Sequence, residues 1–373
     1  MNKLKVAIVD DGVYASGVLS YSVTENNTVM QINHKQCISN HGTQCYNIYS
    51  SIAHNKQCIS IKVGDYDSAG RLNSDKLLTA LEWCCDNEMN LISLSLGTSY
   101  VNEFWKYEAV LNKLMDRKAV IVAAINNNNR LTYPAGKEGI IAVRYDKENE
   151  LPPGKYAFLE NELIGTNIVV NPVLKNLGDK TSQVASCNSF AVPYMAALIS
   201  NAFTKETVSL ENVQNWLKTT AYMTKEKFDN NYYKNLLSKN DFLNPIHICV
   251  IADERIRGLA DWFNQNQYTA VELEINTCIK WKLMKRSVLK EDFKLLCEVI
   301  CWTAQPDIIF WYTKPPYLED EMAHFFDAVV LQNTDKADYD YSKLLCTDGV
   351  ILSYKEMDIC NERVAQDIEE TFS

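Results

Sequence analysis

Short apolar runs alternate with helical patterns over the first two thirds of the chain. KVAIVD (5–10), CISIKV (58–63), LISLSLG (91–97), AVIVAAI (119–125) and GIIAVRY (139–145) are nearly continuous in Val, Ile, Leu and Ala. Such runs predict strands buried on both faces. Between them SDKLLTALEWCCDN (74–87) and EFWKYEAVLNKLMDRK (103–118) space their apolar residues for helices. Strand alternating with helix predicts a parallel sheet covered on both sides.

The polar stretch TKEKFDNNYYKNLLSKNDFLNP breaks the rhythm. A second set of strands follows in IHICVIA, YTAVELE, DIIFWYT, DAVVLQN and DGVILSY, separated by helical patterns such as ERIRGLADWFNQN and LKEDFKLLCEVICW. The expected organisation is an α/β domain over 1–225, a linker over 226–245 and a smaller, doubly wound α/β domain over 246–373. Low-complexity tracts and internal repeats are not evident.

Composition narrows the function. A chain of 373 residues with a formal net charge of -10 and no basic stripe is not built to hold phosphates, so nucleic acid is not an expected partner. The opening MNKLKVAIVDDG has too short an apolar run for a signal peptide, and no run approaches membrane-spanning length. The expectation is a soluble, cytoplasmic protein that does not engage a membrane. The 12 cysteines include no C-x-x-C pair, which argues against a zinc site and for reduced, mostly buried thiols.

Candidate chemistry sits at three places. Asp10 ends the first strand, and carboxyl ends of parallel strands are where open α/β sheets place their sites. His41 stands in NHGTQCYNI, before an apolar helix. Ser189 opens the helical run within VASCNSFAVPYMAALI. Taken singly, each reads as an ordinary turn or cap residue. In the order Asp, His, Ser they match one chain order of the serine-protease triad.

The flanking residues make the match specific. VAIVDDG, HGT, SLSLG, AAINN, YPAG and NSFAVPYMAAL occur in the order and rough spacing of the subtilase family, over about residues 1 to 225. The chain resembles that family, and the resemblance implies a subtilisin-like fold and a serine endopeptidase without cofactor or metal. It implies that Ser189 attacks the scissile carbonyl, that His41 takes and returns its proton, and that Asp10 holds the imidazole tautomer. Asp11 competes for the last role, but the family places its acid first in D-x-G. Asn126 in AAINN matches the side-chain donor of the oxyanion hole, partnered by the Ser189 N–H. Asn127 to Asn129 read as a polar turn. Ser95, Leu96 and Gly97 match the extended edge along which a substrate backbone pairs.

Several positions depart from the family pattern. Cys187-Asn188-Ser189 stands where Gly-Thr-Ser is usual, so Cys187 bears on the geometry and exposes the enzyme to thiol reagents. Gln44 replaces a second histidine outside the triad. Ile125 and Ala135 replace two glycines that line the pocket for the side chain before the cleaved bond. A branched side chain and an added methyl fill that pocket, so Gly, Ala or Ser is expected there. GDYDSAG is a loop rather than a calcium site. The second domain carries no phosphate-binding glycine motif, and its aromatics read as core, with TKPPY a candidate peptide-docking loop.

The expected partner is a peptide or unfolded protein, a precursor peptide being held with help from the C-terminal domain. The leading expectation is a selective, leader-removing maturation protease. A general intracellular turnover protease and an inactive subtilase-fold binding protein stay open as alternatives.

Overall fold

The computed structural model describes residues 3–33, 39–55, 57–64, 74–128, 130–160, 165–174, 187–225, 244–252, 256, 258–276, 279–281, 286–288, 293–314, 322, 324–332, 340–354 and 361–372. Residues 65–70 of the acidic loop, Asp253, the docking loop from Pro315 onward and all of the expected linker but Asn244 and Pro245 lie outside them. The chain divides into two compact units, Met1–Ser99 with Lys106–Phe228, and Tyr100–Trp105 with Asp229–Ser373.

The first unit is built on a ten-stranded sheet. Its strands are β1 (Val6–Asp10), β2 (Leu19–Val23), β3 (Val29–Ile32), β4 (Ile59–Lys62), β5 (Leu91–Leu94), β6 (Val120–Ala124), β7 (Ile141–Tyr145), β8 (Tyr156–Leu159), β9 (Ile168–Val170) and β10 (Met223–Lys225). Their order is β10-β8-β9-β7-β6-β5-β1-β4-β2-β3, parallel except for the β2–β3 and β8–β9 pairs. The apolar runs became the parallel centre, β4-β1-β5-β6-β7, because only strands covered on both faces can be apolar throughout. The partly exposed β2 and β3 carry no such signature.

Helices α1 (His41–Ile52) and α4 (Asn188–Ala202) pack into one core cluster with β1, β5, β6 and β7. Helix α4 is apolar on nearly every side and correspondingly buried. Helix α2 (Ser74–Asp86) and helix α5 (Leu210–Thr220) complete the unit with α3 (Glu108–Asp116). The helix expected over 103–118 is in fact split: a 3₁₀ helix runs from Val101 to Tyr107 before α3. The sequence explains it in hindsight. Val101, Phe104 and Tyr107, all buried, repeat every three residues, the period of a 3₁₀ turn, before Val110, Leu111 and Leu114 resume α spacing.

The second unit holds a seven-stranded sheet of β11 (Ile246–Ile251), β12 (Ala270–Ile275), β13 (Ile279–Trp281), β14 (Arg286–Val288), β15 (Ile308–Tyr312), β16 (Phe326–Gln332) and β17 (Leu345–Tyr354). The order is β14-β13-β12-β15-β11-β16-β17, antiparallel only in the β12–β13 and β13–β14 pairs. Helices α6 (Leu259–Gln265) and α8 (Asn361–Phe372) share a core with Ile248, Val250 and Phe310. Phe293 of α7 (Phe293–Ala304) meets Trp311, the next residue along β15 after Phe310, with ring centroids 5.1 Å apart. Successive residues of a strand face opposite sides, so helices cover both faces. No described helix is long and apolar enough to cross a membrane.

Candidate active site

Two glycines bring His41 to Asp10. Gly12 has φ +102°, a conformation open to glycine, and turns the chain just after β1. Gly42 leaves no room for a side chain: a Cβ there would lie 2.5 Å from the Gly12 carbonyl oxygen. The N-terminus of α1 can therefore press against the end of β1. Asn40 caps the helix, accepting from the Thr43 N–H at 3.1 Å, and its amide donates to Asp11 Oδ1 at 2.6 Å and Gly12 O at 2.8 Å. Asp11 Oδ1 also accepts the Gly42 N–H at 2.7 Å. Asp11 thus anchors the helix, while Asp10, fully buried, meets His41 Nδ1 through Oδ1 at 2.8 Å. Of the two rival carboxylates, Asp10 is the one on the imidazole.

Ser189 is the second residue of α4, where a backbone N–H has no intrahelical acceptor. Its neighbour Phe190 stacks on the His41 ring with centroids 5.4 Å apart. The Ser189 hydroxyl makes no hydrogen bond among the described residues. Pro193, four residues on, has no N–H to give the Ser189 carbonyl. Ser95 Oγ donates to that carbonyl instead at 3.0 Å, with the Cys45 thiol at 4.0 Å. The Ser95 side chain is buried and holds the first turn of that helix.

Cys187, in the family's glycine position, is the N-cap residue with φ −121° and ψ 148°, extended backbone that any residue adopts. Asn127 does the capping from another loop, its Oδ1 accepting the Asn188 N–H at 2.8 Å. More than a polar turn, that asparagine run holds the start of α4.

Asn126 and Asn188 form a connected pair that the sequence did not announce. Asn126 Oδ1 accepts the Asn128 N–H at 2.8 Å, which leaves its NH₂ group to donate elsewhere. Asn188 is fully buried. Its Oδ1 accepts the Tyr145 N–H at 2.9 Å, and its Nδ2 donates to Ile125 O at 3.0 Å and Asn126 O at 3.2 Å. One side chain therefore ties the end of β7 and the loop after β6 to the first turn of α4.

The expected specificity residues are mostly enclosed. Ile125 and Ala135 are 2% and 1% exposed, so their side chains occupy space rather than stand on an open wall. Leu96 is buried, and Gly97 is exposed. A Cβ on Gly97 would meet Thr132 Cγ2 at 2.7 Å and Tyr133 O at 2.8 Å. Just beyond, Thr98 and Tyr133 exchange backbone hydrogen bonds of 2.9 and 2.8 Å. The Gly97 backbone itself makes no hydrogen bond to a described residue.

The electrostatics favour a charged imidazole. Burial pushes the His41 pKa down, but the Cys45 sulfur, the Asp10 hydrogen bond and the Cys187 thiol push it up, and the balance is a raised pKa. At neutral pH the Cys45 contribution is small, because burial lifts that thiol to about 11 and keeps it protonated. The Asp10 hydrogen bond is then the main support of the imidazolium. Asp11 is raised by burial and by the neighbouring Asp10 charge. Ligand-type atoms of Asp10, His41 and Cys45 all lie within 4.8 Å of one another, a grouping absent from the sequence expectations. The arrangement can hold a proton at His41 Nδ1, leave the other ring nitrogen to exchange one, and offer two amide donors, the Asn126 NH₂ and the Ser189 N–H.

The minor extracellular protease Epr of Bacillus subtilis (strain 168) is 26% identical over 212 residues, covering 53% of this chain. That match takes in only 31% of the length of Epr. Among solved structures, the epidermin leader peptide processing serine protease EpiP of Staphylococcus aureus superposes with a TM-score of 0.46 at 15% identity, covering 65% of this chain and 77% of that one. The nisin leader peptidase NisP of Lactococcus lactis gives a TM-score of 0.42 at 15% identity over 58% of this chain and 82% of that one. Residues 1–241 match the model of the subtilase family, and the chain is a member of that family.

Proposed function

We propose that this subtilase cleaves peptide bonds with Ser189 as nucleophile, His41 as general base and then acid, and Asp10 as the group that holds the imidazole. The observation that carries the reading is the 2.8 Å hydrogen bond from His41 Nδ1 to the buried Asp10 carboxylate beside the first turn of α4. It fixes the Nδ1–H tautomer of the neutral ring, so the far nitrogen is free to accept the Ser189 proton as its oxygen attacks the carbonyl. The proton then passes to the leaving amine, and water repeats the cycle on the acyl-enzyme. Asn126 Nδ2 and the Ser189 N–H receive the oxyanion. The site chemistry needs no cofactor.

The substrate is an extended peptide segment with a small residue before the cleaved bond. The burial of Ile125 and Ala135 supports this, because a pocket filled by its own walls has no volume for a large side chain. Narrow selectivity of this kind suits removal of a leader from a precursor peptide better than general turnover. The test is a peptide library read by mass spectrometry. Cleavage after Gly, Ala or Ser is expected, and preferred cleavage after Phe or Leu would overturn the assignment of the pocket.

The pH dependence follows from His41. A base must be neutral to accept a proton, and this imidazole holds its proton above the ordinary value of 6.5. Single-turnover rates are therefore expected to rise with pH along a limb whose midpoint lies above 6.5. In the Asp10→Asn variant the limb should move down and the maximal rate should fall. A wild-type midpoint at or below 6.5 would contradict the charged imidazole.

A further inference from the structure

The segment from Thr132 to Lys137 meets the proposed site at three places. Thr132 Oγ1 accepts the Asn126 N–H at 2.8 Å. The Tyr133 backbone exchanges its two hydrogen bonds with Thr98, just beyond Gly97. Ala135 is one of the buried specificity positions. Turns close the segment on itself, with the Gly136 N–H donating to Thr132 O at 2.7 Å and the Lys137 N–H to Pro134 O at 2.9 Å.

Two side chains of this segment converge on one carboxylate, that of Glu108. The Tyr133 hydroxyl donates to Glu108 Oε1, and Lys137 Nζ donates to Oε2. Tyr133 is fully buried, and the Lys137 side chain is 5% exposed against 40% for that of Glu108. Glu108 opens α3, whose Val110, Leu111 and Leu114 are buried, so its backbone is fixed by a packed helix.

We propose that Glu108 is a positioning residue for substrate selection: its carboxylate clamps Thr132–Lys137, which keeps the wall at Ala135 closed and Asn126 in place. Ala135 stands two residues from each anchored side chain, so its methyl cannot withdraw while both are held. A buried ammonium stripped of its carboxylate is costly. Without the anion Lys137 has to reach water, and the segment that carries it has to open. The two partners are not equivalent, because Glu108 is exposed enough to be hydrated alone and Lys137 is not. The effect on selection rests on the peptidase reading above; the clamp itself does not.

Glu108→Gln isolates the charge, since it keeps the size and an oxygen for the Tyr133 hydroxyl but removes the anion from Lys137. The test compares the full-length wild type with Glu108→Gln, Lys137→Met and the double variant. Tyr156→Phe is the control, losing buried hydrogen bonds to Leu217 and Thr220 instead. Circular dichroism checks folding. The readout is the ratio of kcat/KM on two peptides that differ only in Ala or Leu before the cleaved bond. A smaller folded fraction lowers both values equally and leaves the ratio unmoved. Glu108→Gln is expected to lower the Ala-to-Leu ratio about tenfold, the low end of what a methylene-sized change in a pocket is worth. Lys137→Met should lower it less, and the double variant should recover most of the loss, because no buried charge is left unpaired.

Hydrogen exchange, followed by mass spectrometry over peptides spanning 126–140, reads the clamp without any substrate. Exchange there should quicken in Glu108→Gln and keep the wild-type rate in Tyr156→Phe. Should Glu108→Gln not fold, Glu108→Asp, which keeps the charge but shortens its reach, is judged by the same two readouts. An unchanged ratio or unchanged exchange in the folded variant would overturn the proposal, as would an equal shift of the ratio in Tyr156→Phe. If the wild type cleaves no peptide, the peptidase reading fails, while the exchange rates still judge the clamp.

Discussion

Replacing Ser189 with alanine is expected to remove all fluorophosphonate labelling and to lower kcat on the order of a millionfold, the scale set by losing the serine of subtilisin itself. The effect should come without unfolding. The hydroxyl makes no hydrogen bond among the described residues, and the contact from Ser95 goes to the Ser189 carbonyl, which alanine keeps. The variant should melt within about 0.5 kcal/mol of the wild type, as is usual for substitutions that break no packing or buried hydrogen bond.

Cys187 is the control for this experiment. It lies outside the helix as its N-cap and interacts with the His41 ring, so its thiol is the rival nucleophile. Cys187→Ala is expected to keep the serine adduct. An adduct that survives Ser189→Ala and vanishes in Cys187→Ala would transfer the nucleophile to sulfur. A folded protein that labels in neither form would support the reading as an inactive, binding subtilase.

Replacing Asn126 with alanine is the second large effect, an expected loss of roughly 100- to 1,000-fold in kcat with little change in KM. The donor acts only where charge develops, on the oxygen of the tetrahedral intermediate. Its aim is set by Asn128, whose N–H fixes the amide orientation, and by Asn188, which holds the Asn126 carbonyl. Asn188→Ala should therefore reach the same kinetics by another route. It strips partners from the Tyr145 N–H and from the Ile125 and Asn126 carbonyls, at about 1–3 kcal/mol for each buried group left unpaired.

The two variants are told apart by melting temperature. Asn126→Ala should lower kcat and leave Tm near the wild-type value. Asn188→Ala should lower both. Asn188→Asp keeps an acceptor for Tyr145 but turns an oxygen toward two carbonyls, so it should rescue nothing. A loss confined to KM in Asn126→Ala would make that residue a substrate contact rather than an oxyanion donor.

Local periodicity made the parallel centre of the first sheet and helix α2 legible, because burial on two faces or on one helical stripe is written in neighbouring residues. Motifs singled out Asp10, His41, Asn126 and Ser189 as candidates, and for the glycines after Asp10 and His41 the structure supplies the reason: a positive φ in one case, an absent Cβ in the other. Asn40 could have been found as the cap before HGT. The 3₁₀ turn is written in a three-residue repeat, Val101, Phe104 and Tyr107, which is also compatible with α spacing.

What only the tertiary structure decided is how distant polar groups are shared. Pro193 leaves the Ser189 carbonyl without its helical donor, but that Ser95, 94 positions earlier, supplies one depends on the end of β5 lying under α4. Asn188 reaches Ile125, 63 positions away, because the sheet order sets the loop after β6 beside the start of that helix. Cys45 is a neighbour of His41 in sequence, yet its place against the buried Asp10 requires α1 to dock on β1. The sequence by itself determined which faces are apolar and which residues can do chemistry. Strand order decided which of them meet, since a buried donor or acceptor must find its partner wherever the fold brings one.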